Sequence, residues 1–369
     1  MAAGNPQHTR VLKEGGETVL RKVAQQYLRF IEARAYHRQH REQAEQALRV
    51  MQEYNGVTLA PTLRRLALEY ATGVLGSYRY APWLYVYAAV QQRFVEGWLP
   101  DNYFGRIIVP RVSNGFQITS LKTATNLILD TPALPDLGYL IDGALYDRQR
   151  NRIDLPQFRS SIPDGVTTVF VKSDRSSRGQ GVRPLPVSAL TVEALQACGN
   201  CVIQSPIQQH SFFDDIIAGT LATLRITTVR EQNGSVRSRA AYLRVGRANT
   251  SWVQSANSVR IAVVSDDGAL DGVGYTEDWR QWATHPDSGF RFSGARIPEF
   301  THAVALCESL HQKIPHLGIV GWDIAVNSNG QAQLIEWNAG HCDIKFSEAT
   351  TGPGFTGLSW SPLQRDDNR

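Results

Sequence analysis

Near its end the chain contains two apolar runs with an Asn-Gly pair between them, and no other feature constrains the fold as strongly. The runs cover residues 320–327 and 332–337, and Ser328, Asn329 and Gly330 separate them. An Asn-Gly pair flanked by apolar runs is the strongest short-range signal of a β-hairpin. The sequence therefore predicts two antiparallel strands that lie side by side.

Three side chains that carry oxygen atoms lie on this predicted hairpin. Asp323 is in the first strand, and Glu336 and Asn338 are at the end of the second. Residues i and i+2 of a strand point to one face, and the hairpin brings Asp323 alongside them. Two carboxylates and an amide oxygen suit Mg²⁺ that also holds phosphate oxygens. Exposed polar residues at a strand end would explain the same pattern, so the metal hypothesis depends on the rest of the chain.

A loop of small residues follows a predicted strand that ends in Lys172. The small residues of this loop include Ser176, Ser177, Gly179 and Gly181. Such a loop lets backbone N–H groups close over phosphates, and a lysine supplies a positive point charge. A loop of this composition is also common in ordinary turns.

An arginine lies within the apolar run at residues 224–229. An unpaired guanidinium in a buried strand would be costly, so Arg225 is expected to face an anion. A γ-phosphate and a structural ion pair both satisfy that expectation.

Composition describes an ordinary soluble protein with more than one lobe. The chain has 369 residues, of which 42% are hydrophobic and 20% charged, which is too long for one small core. It has no apolar run of the ~18–20 residues that a membrane-spanning helix needs, and its start does not resemble a secretory signal. The four cysteines are too few for a disulfide scaffold, and the Cys198/Cys201 spacing has no second pair. We therefore expect a cytoplasmic protein.

Positive charge is concentrated in the first hundred residues. These hold thirteen Lys/Arg and eight Asp/Glu, a balance of +5, whereas the remainder holds twenty-five and twenty-six, a balance of −1. A solvated helix surface explains this balance, and so does a docking face for an anionic partner such as a lipid surface or an acidic glycan. The aromatic residues in this region have the pattern of core residues and not that of a surface on which bases stack, so nucleic acid is not an expected partner.

Helices are predicted in two stretches of this region. In residues 17–53 apolar residues recur at helical spacing among Arg, Gln and Glu, which predicts a long amphipathic helix that ends at Asn55-Gly56. A second helical region is predicted from residue 61 to about 98, with interruptions at two glycines and at Pro82.

The remainder of the chain is rich in predicted strands. Short β-branched and aromatic runs predict strands at residues 107–109, 166–171, 201–204, 224–229, 240–245 and 258–265. A helix is predicted at residues 298–314, between Pro298 and Pro315. The pattern favours an α+β fold behind an N-terminal helical region.

Taken together, these motifs resemble a known superfamily. A strand ending in lysine before a small-residue loop, an arginine-bearing strand and Asp-x₁₂-Glu-x-Asn are similar to the ATP-grasp pattern. More specifically, four segments resemble the sugar-transfer-associated ATP-grasp family, which is related to alpha-L-glutamate ligases. These segments are Ile203-Gln204 with Gln209-His210, residues 223–226 (TLRI), residues 285–298 and residues 321–326. The resemblance covers roughly residues 100–355.

The resemblance implies two α+β lobes that clasp ATP. The implied division is a helical region at 1–99, a segment at 100–165 that carries the first nucleotide lysine, a small lobe at 166–210, a large lobe with the metal site at 211–355, and a polar tail at 356–369.

It also implies roles for individual residues. Lys122 and Lys172 are the nucleotide lysines, and the loop at Ser176–Gly181 closes over the phosphates. The adenine-reading strand is implied at Gln204, Ser205 and Ile207, with Ser205 where the family usually has Glu. Asp323, Glu336 and Asn338 would hold Mg²⁺, and Arg225 would steady the reacting phosphoryl group. Near residues 256–260 the chain keeps only Asn257 of the family's pattern, which suggests an altered substrate pocket.

The implied activity is that of an ATP- and Mg²⁺-dependent ligase. It would join a small-molecule carboxylate to an amine, or to a thiol, through an acyl phosphate, and glycoconjugate, polysaccharide or natural-product biosynthesis is the associated setting. Two alternatives stay open: a kinase on the same fold that phosphorylates a small molecule or sugar hydroxyl, and a nucleotide- or glycan-binding module without turnover. The retained Asp/Glu/Asn set disfavours the binding module.

Overall fold

The N-terminal part of the chain is helical in the computed structural model, which describes residues 6–176, 181–248, 258–358 and 360 and their side chains from residue 24 onward. The helices are α1 (Pro6–Asn55), α2 (Pro61–Gly73), α3 (Ala81–Gln91), α4 (Asp101–Tyr103), α5 (Val109–Val112), α6 (Thr125–Leu129), α7 (Leu155–Ser160), α8 (Val192–Gln196), α9 (Ser211–Ile216), α10 (Phe300–Gln312) and α11 (Lys345–Thr350). The strands are β1 (Asp136–Ile141), β2 (Ala144–Asp147), β3 (Thr168–Ser173), β4 (Val182–Pro186), β5 (Cys201–Gln204), β6 (Thr223–Arg230), β7 (Val236–Gly246), β8 (Ser258–Val263), β9 (Leu270–Thr276), β10 (Gln281–Trp282), β11 (Ile319–Val326) and β12 (Ala332–Asn338). The fold is therefore α+β behind an N-terminal helical region, as the sequence predicts.

The last part of helix α1 is anchored in the core, whereas residues 24–31 of the helix are exposed. Ala44, Ala47 and Met51 are buried against the core, whereas a group of large apolar side chains nearer the start of the helix lies exposed. That exposed group is Tyr27, Leu28, Phe30 and Ile31. The predicted end of the helix is confirmed, because α1 ends at Asn55 and Gly56 takes a φ of +66°.

The side chain of Asn55 joins the helical region to the β-rich part of the chain. Its Nδ2 donates to the carbonyl oxygen of Trp279 at 2.8 Å, and its Oδ1 accepts from the N–H of Gln281 at 3.0 Å. The residue that ends the helix therefore also holds the edge of the sheet at β10.

The strand predicted at residues 107–109 is wrong. Residues 104–108 form a π-helical turn between α4 and α5. Ile107, Ile108 and Val109 are all buried there against the helical region. Burial on all sides stabilises these β-branched residues in a helix, so packing overrides their strand propensity.

Among the described residues, β1 to β5 form a small antiparallel sheet in the order β2-β1-β5-β3-β4. Alternation along its strands divides the side chains between two faces. Val171 and Ile203 lie in the core that this sheet shares with α7 and α8. Lys172 and Gln204 belong to the opposite face, because Lys172 pairs with Val202 and Gln204 with Phe170.

The larger antiparallel sheet of the described residues has the order β10-β9-β8-β7-β6-β11-β12. One face packs on α10 through an apolar core that includes Ile226, Leu243, Trp322 and Trp337. The other face carries polar and charged side chains and is covered at β7–β9 by the helical region and α11. The predicted hairpin is confirmed: β11 and β12 pair antiparallel, with Gly330 at a φ of +76° in the turn.

In the described part of the chain, no helix combines the length and the apolar character needed to cross a membrane.

A buried carboxyl fastens α11 to the helical region. Glu348 is fully buried and accepts hydrogen bonds from the N–H groups of Leu99 at 2.7 Å and Gly354 at 2.9 Å. Burial raises the pKa of this carboxyl to about 8, although the two N–H groups oppose the shift. The folded protein therefore favours the protonated carboxyl well above the ordinary pKa of 4.5.

This shift predicts a pH-dependent stability. Below pH 4.5 Glu348 is protonated in both states, and between 4.5 and about 8 the unfolded chain ionises while the folded one resists. The free energy of unfolding of the wild type, relative to Glu348→Gln, should therefore fall as the pH rises from 4.5 to 8. Urea unfolding at several pH values measures this difference. The exposed Glu69→Gln should show no such trend, and a constant difference for Glu348→Gln would contradict the prediction.

Candidate active site

A cleft lies between the polar face of the small sheet and the β12 edge of the large sheet. Its lining residues come from both sheets and from the segment before β1. They are Thr119, Lys122, Thr125, Leu134, Asp136, Lys172, Val202, Gln204, Ile335, Glu336 and Trp337. The structure thus brings four of the predicted site residues together: Lys122, Lys172, Gln204 and Glu336.

Lys122 is fixed between the small-residue loop and the large sheet. Its Nζ donates to the carbonyl oxygen of Ser176 at 2.6 Å and to Ser176 Oγ at 3.2 Å. The same Nζ lies 3.7 Å from Glu336 Oε1. The neighbouring Thr123 donates through its N–H and its hydroxyl to Asp174, at 2.9 and 2.8 Å. These contacts hold the lysine segment against the start of the loop.

Lys172 reaches the same place from the end of β3. Its Nζ donates to the carbonyl oxygen of Ile335 at 3.4 Å. Burial lowers the pKa of Lys172, and the nearby carboxylates of Glu336 and Asp136 oppose that shift. A cation that burial disfavours gains stability when an anion binds beside it, so the site suits a phosphate group.

Glycine is required where the loop returns to β4. A Cβ at Gly181 would lie 2.2 Å from the side chain of Ser176, closer than a Cβ can approach. The carbonyl oxygen of Gly181 accepts from the N–H of Ser173 at 3.1 Å. The predicted loop residues Ser177 and Gly179 lie outside the described residues.

A buried ion pair joins β6 to β11. Arg225 donates to both carboxylate oxygens of Asp323, from Nε at 2.8 Å and from Nη2 at 3.0 Å. Its Nη1 donates to the carbonyl oxygen of Cys342 at 2.9 Å. Burial raises the pKa of Asp323, but the positive charges of Arg225, Arg244 and Lys172 together outweigh burial, so the pKa is lowered. Two anions could face Arg225, a γ-phosphate or a carboxylate of the protein, and the structure provides the carboxylate of Asp323.

The predicted metal ligands share one face of the hairpin. Asp323 is paired directly with Glu336, and Asn338 follows two residues later on β12. Each carboxylate oxygen has two lone pairs, so Asp323 can accept from Arg225 and still ligate a cation. Two carboxylates and an amide oxygen are a hard oxygen donor set, and this set fits Mg²⁺.

The strand predicted to read adenine lies between β1 and β3. Gln204 is buried, and its Nε2 donates to Asp136 Oδ1 at 2.7 Å. The N–H of Ser205 donates to the carbonyl oxygen of Pro135 at 2.9 Å. Ser205 and Ile207 are half-buried in the segment that leaves β5 toward the large sheet, next to the cleft rather than in its lining.

Comparison with known families agrees with this geometry. Residues 191–360 match the model of the family described as sugar-transfer-associated ATP-grasp. Residues 191–360 belong to that family. The matched part contains Gln204, Arg225 and the β11–β12 hairpin, whereas Lys122 and Lys172 precede it.

Several solved structures also resemble this chain, with low sequence identity and low TM-scores. An N5-carboxyaminoimidazole synthetase from Staphylococcus aureus with ADP has 12% identity and a TM-score of 0.37, with 63% of this chain and 52% of that chain covered. The ATP-grasp ligase PsnB with a minimal precursor has 13% identity and a TM-score of 0.37, with 65% and 59% covered. N5-carboxyaminoimidazole ribonucleotide synthetase from Thermotoga maritima has 11% identity and a TM-score of 0.34, with 60% and 42% covered. The chain spans about half the length of these proteins, and at these scores the similarity carries no inference about activity. No curated protein matches the sequence.

Asp136 is a residue of the cleft that sequence reasoning missed. It is 3% exposed and accepts from Gln204 and, at 2.8 Å, from the hydroxyl of Tyr139. Burial raises its pKa, and the two hydrogen bonds oppose the shift. Its position after Pro135, at the start of β1, was the available signal, but the sequence did not predict β1.

A second missed group joins the helical region to the loop after β12. Asp101 Oδ1 lies 3.3 Å from His341 Nε2, and Asp101 Oδ2 lies 3.7 Å from both His40 Nδ1 and Lys345 Nζ. Asp101 is 1% exposed. The ring of His40, which precedes the span of the resemblance, is centred 6.2 Å from the ring of His341, so the first hundred residues lie next to the segment that follows the β11–β12 hairpin.

The cysteines behave as structural residues. Cys201 and Cys342 are fully buried, and burial raises the pKa of each thiol to about 12. Thiols with such pKa values stay protonated and are poor nucleophiles. This supports the structural interpretation of the Cys198/Cys201 spacing.

The Arg225–Asp323 pair yields a stability prediction. Removing one partner of a buried ion pair leaves an uncompensated charge, so Arg225→Gln should lower the free energy of unfolding by about 3–5 kcal/mol. Arg247 and Asp287 form a matched pair with bonds of 2.7 and 2.9 Å but with more exposed side chains. Arg247→Gln should therefore cost less than about 1 kcal/mol. Urea unfolding measures both, and equal losses would show that burial does not decide the strength of the pair.

Proposed function

We propose that the protein is an ADP-forming ligase that activates a carboxylate with ATP and joins it to an amine, or to a thiol. The observation that carries this proposal is the convergence of two lysines, Lys172 from β3 and Lys122 from the segment before β1, on the predicted metal ligands of the β11–β12 hairpin. Lys122 Nζ lies 3.7 Å from Glu336 Oε1. Lys172 Nζ donates a hydrogen bond to the carbonyl oxygen of Ile335, the residue before Glu336. Cations and hard oxygen ligands around one cleft are what transfer of a γ-phosphoryl group requires.

Each group of the cleft has a separate role in the proposal. Lys122 and Lys172 neutralise the phosphates, and the segment from Gln204 to Ile207 holds the adenine. Asp323, Glu336 and Asn338 would hold Mg²⁺, which supplies positive charge against the β- and γ-phosphates when bound. Arg225 orients Asp323 and so fixes one metal ligand.

The reaction has two steps that share these residues. The substrate carboxylate attacks the γ-phosphorus, the bond to the β-phosphate oxygen breaks, and ADP leaves. The amine then attacks the acyl carbon and phosphate leaves with its electron pair, while the amine loses a proton to solvent. Because the second step consumes an unstable acyl phosphate, the cleft contributes positioning and electrostatic stabilisation rather than covalent catalysis.

The ligase and the alternative kinase differ in their products. With an accepted acid and amine, free phosphate should appear one for one with ADP, and hydroxylamine in place of the amine should give a hydroxamate. Glu336→Gln keeps the size of the side chain and removes a negative charge from the metal site, so turnover should fall by about a hundredfold or more. The exposed Glu69→Gln is the matched control and should keep full turnover.

A stable phosphorylated product without free phosphate would identify a kinase and overturn the ligase. Nucleotide binding without turnover, over a broad panel of acids and amines, would favour the binding module. Coupled phosphate and nucleotide assays, with mass spectrometry of the products, distinguish the three.

We also propose a role for the N-terminal region. The buried residues of α1 and the contacts of Asp101 support a brace on the catalytic lobes. The +5 charge balance of residues 1–100 keeps an anionic partner for the basic N-terminal region as a prediction. A cytoplasmic location and a part in biosynthesis likewise remain proposals.

A further inference from the structure

Two arginines oppose each other on neighbouring strands of the large sheet. The register of β7 and β8 pairs Arg244 directly with Arg260. Directly opposite side chains have Cβ atoms about 5 Å apart, and like charges at that distance are destabilising. Both lie on the same face as Arg225, because Arg225 pairs with Tyr242 and Tyr242 is two residues from Arg244. The polar face of the large sheet thus carries further positive charge on β7 and β8, beyond the row of Arg225 and Asp323.

Neither arginine is fully satisfied by the described residues. Arg260 is 4% exposed, and its nearest carboxylates are Asp343 at 3.6 Å and Glu277 at 4.0 Å. Arg244 donates from Nη2 to the hydroxyl of Tyr242 at 3.1 Å, and no carboxylate of the described residues lies within 4 Å of it. The Nε atoms of both arginines are buried without a hydrogen-bond partner in the part of the chain that the structure describes.

A third unsatisfied donor lies in the same cross-strand row. Thr223 on β6 is paired with Arg244, and its buried Oγ1 has no hydrogen-bond partner among the described residues. Buried donors without partners are costly, and each such group needs a physical explanation. Three of them side by side, two of them charged, point to an anion that they would share.

The charges around this row leave room for such an anion. Asp343 is shared between Arg260 and Lys345, whose Nζ lies 3.0 Å from Asp343 Oδ1. Lys345 also lies 3.7 Å from Asp101. The carboxylates nearby are therefore already engaged by cations, and among the described residues none of them forms an ion pair with Arg244.

We propose that Arg244, Arg260 and Thr223 bind a second anionic group of the acid substrate, either a carboxylate or a phosphate. The row lies two residues along the strands from the row of Arg225 and Asp323, a step of about 7 Å. An acid whose reacting carboxylate meets the phosphoryl group near Asp323 would then place its other anionic group between the two guanidinium groups. The substrate class is an acid with two anionic groups. This inference rests on the proposed function.

Binding of simple acids tests the site directly. Calorimetry at low ionic strength compares the affinity for valerate with the affinities for dicarboxylates of four to seven carbons and for 5-phosphonovalerate. Each ligand is titrated once without nucleotide and once with an ATP analogue and Mg²⁺. One member of the dianion series should bind at least about tenfold more tightly than valerate. Arg244→Gln should remove that preference and leave the affinity for the ATP analogue and for valerate unchanged.

Controls separate binding from folding. Arg65 is an exposed arginine paired with Glu69 at 2.8 Å, and Arg65→Gln should keep the full preference. Arg244→Gln removes a like-charge contact, so its melting temperature without ligand should equal or exceed that of the wild type. Arg260→Gln provides a second variant with the same expected loss of preference.

The possible outcomes are distinct. A preference for dicarboxylates over the phosphonate assigns a carboxylate, and the reverse assigns a phosphate. Equal binding of valerate and every dianion would overturn the proposal, and so would an unchanged preference in both arginine variants. Failure of the ligase proposal appears separately, as ATP turnover that is absent while the dianion preference persists.

Discussion

Cross-strand register in the large sheet determines the arrangement of the whole candidate site. The pairing of β12, β11 and β6 places Glu336, Asp323 and Arg225 in one row on one face. A slip of one residue in any of these strands would send that strand's member of the row to the apolar face against α10. The buried pair of Arg225 and Asp323 stabilises this register, because a displaced guanidinium would remain buried without its carboxylate.

The other parts of the molecule are arranged around that row. The small sheet presents Lys172 on its polar face, and the segment before β1 adds Lys122, so two cations face Glu336 from across the cleft. On the far side, the helical region reaches the loop after β12 through Asp101 and His341. The N-terminal helices thus lie against the segment that follows the β11–β12 hairpin.

The sequence predicts those features whose causes are local. The hairpin follows from the Asn-Gly turn and the period-two pattern on each side, and the end of α1 follows from Asn55-Gly56. Lys172 is predicted at the end of a strand because it closes an apolar run that is followed by glycines and serines, and it lies near the end of β3. The two lysines, Gln204 and Glu336 therefore line one cleft, as the family resemblance implied.

Features that depend on tertiary packing could not be predicted. The helical turn at residues 104–108 contradicts the strand propensity of its residues, because surrounding side chains bury it. The partner of Arg225 is set by strand pairing over almost a hundred residues, so the sequence favoured a γ-phosphate and left the ion pair only as the alternative. The opposition of Arg244 and Arg260 arises only from the register of β7 and β8.

Hydrogen exchange with bound nucleotide tests the central claim, that ATP binds between the small sheet and β12. On adding an ATP analogue with Mg²⁺, amide exchange should slow in residues 119–136, 168–176, 201–207 and 334–338, because ligand contacts suppress local opening of these segments. The helices at residues 40–91 should change little. Slowing confined to those helices, or tight nucleotide binding with no slowing around the cleft, would contradict the claim.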